Sequence, residues 1–141
     1  MELTRRNALM IGAGAFAATL LPAGAFASPE DTEKAIAEFT GGAEVGEGGI
    51  DLTTPEIAEN GNTVPISVDA PGAVAIAVFA NGNPEPKVCV FNFGPMAGSQ
   101  SASTRIRLAG TQDVVAVAKM ADGSFVKASN TVKVTIGGCG G

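Results

Sequence analysis

Beyond Ile50 the chain is written in short Val- and Ile-rich runs separated by turn residues, and this rhythm limits what it can fold into. The runs are Ile50–Thr53, Thr63–Asp69, Ala73–Phe79, Lys87–Phe93, Ala102–Leu108, Asp113–Lys119, Ser124–Ala128 and Thr131–Ile136. Asn60-Gly61-Asn62, Pro71-Gly72, Asn81-Gly82-Asn83, Gly94-Pro95 and Ala109-Gly110 punctuate them, and Asp122-Gly123 reads as a tight hairpin. Strict alternation in Thr104–Leu108 and Thr131–Ile136 gives each a wet and a dry face, whereas Ala73–Phe79 is apolar throughout and reads as a central strand. Seven or eight short strands with no helices between them predict an all-β, immunoglobulin-like β-sandwich. The Cys…Trp…Cys pin of antibody domains is absent, because the chain has no Trp.

Ahead of the strands, Ser28-Pro29-Glu30-Asp31 has the chemistry of a helix start: a capping hydroxyl, proline at the first position and acids facing the dipole. The spacing predicts a short N-terminal helix to about Phe39, with Ile36 and Phe39 on one side and a stop at Gly41-Gly42. Such a helix needs a docking surface to persist.

The first 27 residues read as an address. Arg5-Arg6 precede the apolar stretch Ala8–Leu21, and Ala25-Phe26-Ala27 is a small-x-small cleavage site. Adjacent arginines indicate the twin-arginine route, and the apolar stretch is shorter than the roughly 20 residues a spanning helix needs. Three segments follow: a signal peptide over 1–27, a β-sandwich domain with its helix over 28–136, and a flexible arm over 137–141. The expected location is the periplasm, with no membrane association after cleavage.

Composition narrows the chemistry. Lys+Arg is 9 against Asp+Glu 14, a formal charge of −5, and removing Glu2, Arg5 and Arg6 leaves the exported part more acidic still. That balance argues against nucleic acid and anionic membranes as partners. There is no His, so Ser-His-Asp and Cys-His machinery and His-ligated metals are excluded. No metal and no cofactor is expected. What remains is carboxylates, a few Lys and Arg, and two cysteines.

The cysteines sit in opposite settings. Alternation along Lys87–Phe93 places Cys89, Phe91 and Phe93 on one face and Val88 and Val90 on the other, so Cys89 reads as a structural small hydrophobe. The same strand, apolar on both faces, is the candidate for a partner-facing surface that includes Phe91 and Phe93. Cys139 lies between Gly137-Gly138 and Gly140-Gly141, with nothing apolar to pack on. Glycines make this arm costly to order and slim enough to enter a narrow channel. From Ile136 the thiol reaches about 10 Å along extended chain. No cation or helix end beside it in sequence lowers its pKa from about 8.5. A presented thiol, a Cys89–Cys139 staple and a disulfide-linked dimer through Cys139 all remain open, the staple being disfavoured by its Gly-Gly hinge.

The terminal Gly137-Gly138-Cys139-Gly140-Gly141 resembles the ending of the SoxY family of sulfur-carrier subunits. The resemblance extends to the signal, the length, and stretches such as Asn60–Pro65, Phe91–Pro95 and Thr104–Arg107, while Cys89 is a departure from the family pattern. It implies a non-enzymatic carrier in thiosulfate oxidation, with Cys139 as the covalent attachment site (a cysteine S-thiosulfonate) and Gly137, Gly138, Gly140 and Gly141 as the arm around it. It also implies a heterodimer with a SoxZ-type subunit and transient contacts with SoxXA, SoxB and SoxCD-type enzymes. The competing reading is an exported β-sandwich binding or structural module whose tail cysteine only cross-links it. A dithiol redox protein using Cys89 and Cys139 ranks last, for want of a Cys-x-x-Cys pair.

Overall fold

The computed structural model describes residues 28–137, so the signal expected over 1–27 and the arm residues Gly138, Cys139, Gly140 and Gly141 lie outside the described residues. Helix α1 (Pro29–Thr40) begins at a capping box. The Asp31 N–H donates to Ser28 Oγ at 3.2 Å, and the Ser28 N–H donates to the Asp31 carboxylate at 2.9 Å. Those Ser28 hydrogen bonds, backbone first, hold the Asp31 carboxyl below its usual range. At the other end Gly41 takes a left-handed conformation (φ +67°), which a Cβ would penalise.

Among the described residues nine strands follow: β1 (Val45–Glu47), β2 (Asp51–Thr53), β3 (Ile57–Ala58), β4 (Val64–Asp69), β5 (Ala73–Ala80), β6 (Lys87–Asn92), β7 (Ser101–Ile106), β8 (Gln112–Met120) and β9 (Phe125–Val134). One sheet runs β1-β9-β8-β5-β6 with β3 also on β9, and the second runs β2-β4-β7. Val64, Ile66 and Val68 of β4 meet Ile76 and Val78 of β5, Val114 of β8 and Val132 of β9 in one buried cluster, so the two sheets form a β-sandwich. Fully burying each such aliphatic side chain stabilises by about 1.5–3 kcal/mol.

The apolar run Ala73–Phe79 finds its explanation here. Ile76 and Val78 face the sandwich core, while Ala77 and Phe79 face a second cluster with Val117 and Phe125. Helix α1 covers that cluster with Ala35, Ile36 and Phe39. Phe39 sets its ring edge-on to Phe79 and Phe125, at centroid distances of 6.4 and 5.9 Å. The predicted helix therefore has its docking surface. Among the described residues no helix is long and apolar enough to cross a membrane.

Two expectations change. Ser124–Ala128 and Thr131–Ile136 are one strand, because Ser129 and Asn130 continue the ladder opposite Val115 and Val114. Asn130 also donates its side-chain amide to the Leu52 carbonyl at 2.8 Å, tying β9 to the other sheet. The ladder stops at Val134, short of the expected Ile136, whose side chain is exposed. The strands added are β1 and β3, both parallel to β9.

Candidate functional site

The chain leaves β9 at Val134 and is guided onward by residues 58–61. The Thr135 N–H donates to the Ala58 carbonyl at 3.1 Å, and its hydroxyl donates to the Glu59 carbonyl at 2.9 Å. The Ile136 carbonyl accepts from the Gly61 N–H at 2.7 Å, and the Gly61 carbonyl accepts from the Leu108 N–H at 2.8 Å. Gly137 then lies so close to the Ala109 carbonyl that a Cβ at this position would collide with it. Glycine at 137 is thus accounted for by close approach of two backbones. Cys139, two residues on, belongs to the segment outside the described residues.

The loop that receives Gly137 rests on a buried polar network. Asn83 and Gln112 are both buried. The Asn83 amide donates to the Arg107 carbonyl at 2.8 Å, and its oxygen accepts from the Ala109 N–H and from the Gln112 amide, each at 2.9 Å. Gln112 also donates to the Gly110 carbonyl at 3.0 Å and accepts from the Gly82 N–H at 2.8 Å. Asn81 accepts from the Asp113 N–H at 3.0 Å. On the far side, the Thr111 hydroxyl accepts from the Val134 N–H at 3.0 Å. Buried polar groups satisfied this fully fix a single arrangement, so the loop is a defined platform for the chain's last described residue. Asn81-Gly82-Asn83 and Ala109-Gly110 read in sequence only as turn punctuation. The usable signal was two asparagines in a turn that glycine and proline alone would satisfy.

Cys89 lies on β6, half-buried, with Phe91 and Phe93 packed beside it against the main core as alternation predicted. Burial pushes its thiol up from the usual value, which makes it a poor nucleophile at neutral pH. The exposed apolar side chain of this strand is Val90, on the opposite face from Phe91. A register shift between Val78 and Phe79 sets Val88 as the extra residue of the strand, and it too touches the core. Among the described residues no group of three His, Cys, Asp or Glu side chains is placed to hold a metal ion.

The model of the family "Sulfur oxidation protein SoxY" matches residues 36–139, a span that includes Cys139 and the platform before it. No protein with a curated description matches. Among solved structures, the sulfur carrier protein SoxY from Chlorobium limicola f thiosulfatophilum is 37% identical, with 77% of this chain and 100% of that chain covered and a TM-score of 0.68. A superoxide reductase (neelaredoxin) from Ignicoccus hospitalis shares the fold at 13% identity, covering 78% of this chain and 95% of that one, with a TM-score of 0.54. A putative superoxide reductase from Thermotoga maritima does so at 17% identity, over 60% and 84%, with a TM-score of 0.51. At such identities the two reductases speak for the sandwich alone. The match over most of the chain and the 37% identity to a sulfur carrier establish more: this chain belongs to the SoxY family of sulfur oxidation proteins.

Proposed function

We propose that the chain is a periplasmic carrier that holds intermediates of thiosulfate oxidation covalently on Cys139 and presents them to partner enzymes. The observation that carries this reading is the family match, which runs to residue 139 and so takes in the cysteine. The structure supports it by leading the chain to a pinned point at Gly137, two residues before the thiol. Export follows from Arg5-Arg6 and Ala25-Phe26-Ala27.

In chemical terms, loading joins Cys139 Sγ to the outer sulfur of thiosulfate. The thiol proton is lost and two electrons pass to a SoxXA-type, haem-containing partner. Hydrolysis by a SoxB-type enzyme then releases sulfate and leaves a persulfide on Cys139, which a SoxCD-type enzyme oxidises further. A SoxZ-type subunit completes the carrier as a heterodimer. In this reading the acid, base and metal chemistry of these steps is the partners'. The chain contributes a thiol, a slim glycine-flanked segment to insert, and a fixed base.

The test is intact and peptide mass spectrometry on protein purified without reductant from cells grown on thiosulfate. Thiosulfonate or sulfane adducts on the peptide ending at Gly141, removable by reductant, are the expected result. A bare Cys139, or only disulfide-linked dimer, overturns the carrier reading in favour of a cross-linked binding module.

A further inference from the structure

The two sheets end side by side at β6 and β7, each the last strand of its sheet. A cleft of about 350 Å³ lies between them, and its charge runs against that of the molecule. The chain carries −5 overall and its arginines beyond Arg6 are Arg105 and Arg107. Both line this cleft together with Lys87, while Glu85 is the one carboxylate among its lining residues. Half-buried Cys89 and buried Ile106 form apolar parts of the wall. Cations above such a wall are less screened than on an open surface.

The cleft adjoins the point where the described chain stops. Asn83 lines it and binds both the Arg107 carbonyl and the Ala109 N–H, and Ala109 is the residue Gly137 abuts. Two residues of extended chain span about 7 Å, so Cys139 and a group attached to its sulfur can reach Arg107. Guanidinium forks suit the oxygens of a sulfonate, offering paired donors and a charge that burial of the pair does not remove.

We propose that this cleft is a docking site for the segment 138–141 when Cys139 carries a sulfonate-ended intermediate, with Arg105, Arg107 and Lys87 receiving the sulfonate oxygens. The inference rests on the carrier reading and adds a consequence to it. A thiosulfonate presents three acceptor oxygens to the cleft, whereas the persulfide left after sulfate release presents none. The loaded segment is retained against the carrier, and the same segment is released once sulfate has gone.

The test uses protein purified from the cell and loaded chemically. Tetrathionate attacked by the Cys139 thiolate gives the thiosulfonate and expels thiosulfate; methyl methanethiosulfonate gives a neutral methyl disulfide and expels methanesulfinate. Loss of each adduct from the peptide containing Cys139 is then followed by mass during treatment with mercaptoethanol. The R105Q/R107Q variant should lose the thiosulfonate about three- to tenfold faster than the unsubstituted protein, the scale of one or two partly exposed ion pairs. The methyl disulfide should be lost at the same rate from both, and 1 M salt should abolish the difference. Equal rates for the thiosulfonate, or an equal change for both adducts, overturn the proposal. Because loading is chemical, this outcome is independent of whether cells place the adduct there, which is what the carrier reading stands on.

Discussion

Replacing Asn83 with Ala removes the centre of the platform beneath Gly137, and the structure fixes how much this should cost. Asn83 serves three groups: the Arg107 carbonyl, the Ala109 N–H and the Gln112 amide. Gln112 keeps its bond to the Gly110 carbonyl, but the two backbone groups flanking fully buried Leu108 lose their partners. An orphaned buried polar group costs about 1–3 kcal/mol, so N83A should destabilise by about 3 kcal/mol, with water partly relieving the more open side. For a domain of this size that is a fall in Tm of roughly 12 °C. N83D is the sharper control: it keeps the acceptor for Ala109 and Gln112 but sets a buried carboxylate oxygen against the Arg107 carbonyl in place of the donor, and at neutral pH it should cost at least as much as N83A. With no Trp or Tyr in the chain, unfolding is best followed by far-ultraviolet circular dichroism or calorimetry. Hydrogen exchange at the Leu108 and Ala109 amides reports locally. A loss under about 0.5 kcal/mol for N83A would refute the reasoning, because the network would then be an exposed convenience and the base of the C-terminal segment would not be fixed by it.

Three further outcomes are expected. Phe79→Ala removes a fully buried ring that stacks edge-on with Phe39, and should cost about 3–5 kcal/mol with loss of the α1 helical signal before the strand signal on heating. In a Cys139→Ser background, alkylation of Cys89 should show its pH midpoint above the free-thiol value of about 8.5, because burial favours the neutral thiol. By the same linkage, the stability that site contributes is intact below that value and is lost as pH rises through the folded-state value; a midpoint at or below it contradicts the burial. Gly137→Ala should detach the chain after Thr135, seen as faster hydrogen exchange at the Gly61 N–H that binds Ile136, whereas Gly110→Ala, which meets open space, should leave that amide unchanged.

How far the sequence disclosed this molecule depended on whether the cause of each feature was local. The ends of α1 were legible because Ser28, Asp31 and Gly41 each act within a few residues of where they stand. The strands with a wet and a dry face were legible for the same reason, and β5 because an uninterrupted apolar run has to be covered twice. β1 and β3 were not, since Val45-Gly46-Glu47 and Ile57-Ala58 have no strand pattern and are recruited by the free side of β9. The join across Ser129-Asn130 was hidden likewise, because what keeps those residues in the ladder is β8 and a bond to Leu52 in the other sheet. At the site, the ending Gly137–Gly141 was conspicuous and its meaning came from family likeness. Asn83, Gln112 and the grouping of Lys87 with Arg105 and Arg107 come together only across sequence separations of about 20 to 30 residues.

That division has a physical reading for the site as a whole. On the carrier reading proposed above, the Cys139 thiol has to enter partner active sites, and its reach is then measured from a point that does not itself move. The residues up to Ile136 are held by bonds from Ala58, Glu59 and Gly61, and Gly137 is fitted against a loop whose polar groups are satisfied internally. Two glycines before a cysteine would place the start of free motion at 137 on composition alone. The close contact with Ala109 holds Gly137 itself, so a tether to Cys139 counted from this fixed point is one residue, about 3.5 Å, shorter. A shorter tether keeps the thiol at a higher effective concentration near whatever lies beside its root, and the cleft lined by Arg105 and Arg107 adjoins that root. Lengthening the tether by inserting a Gly-Gly pair after Gly137 should therefore weaken retention of a sulfonate adduct while leaving folding untouched, and the mercaptoethanol assay would register it as faster loss of the thiosulfonate alone. Equal loss of the methyl disulfide would show instead that the insertion had merely exposed the sulfur.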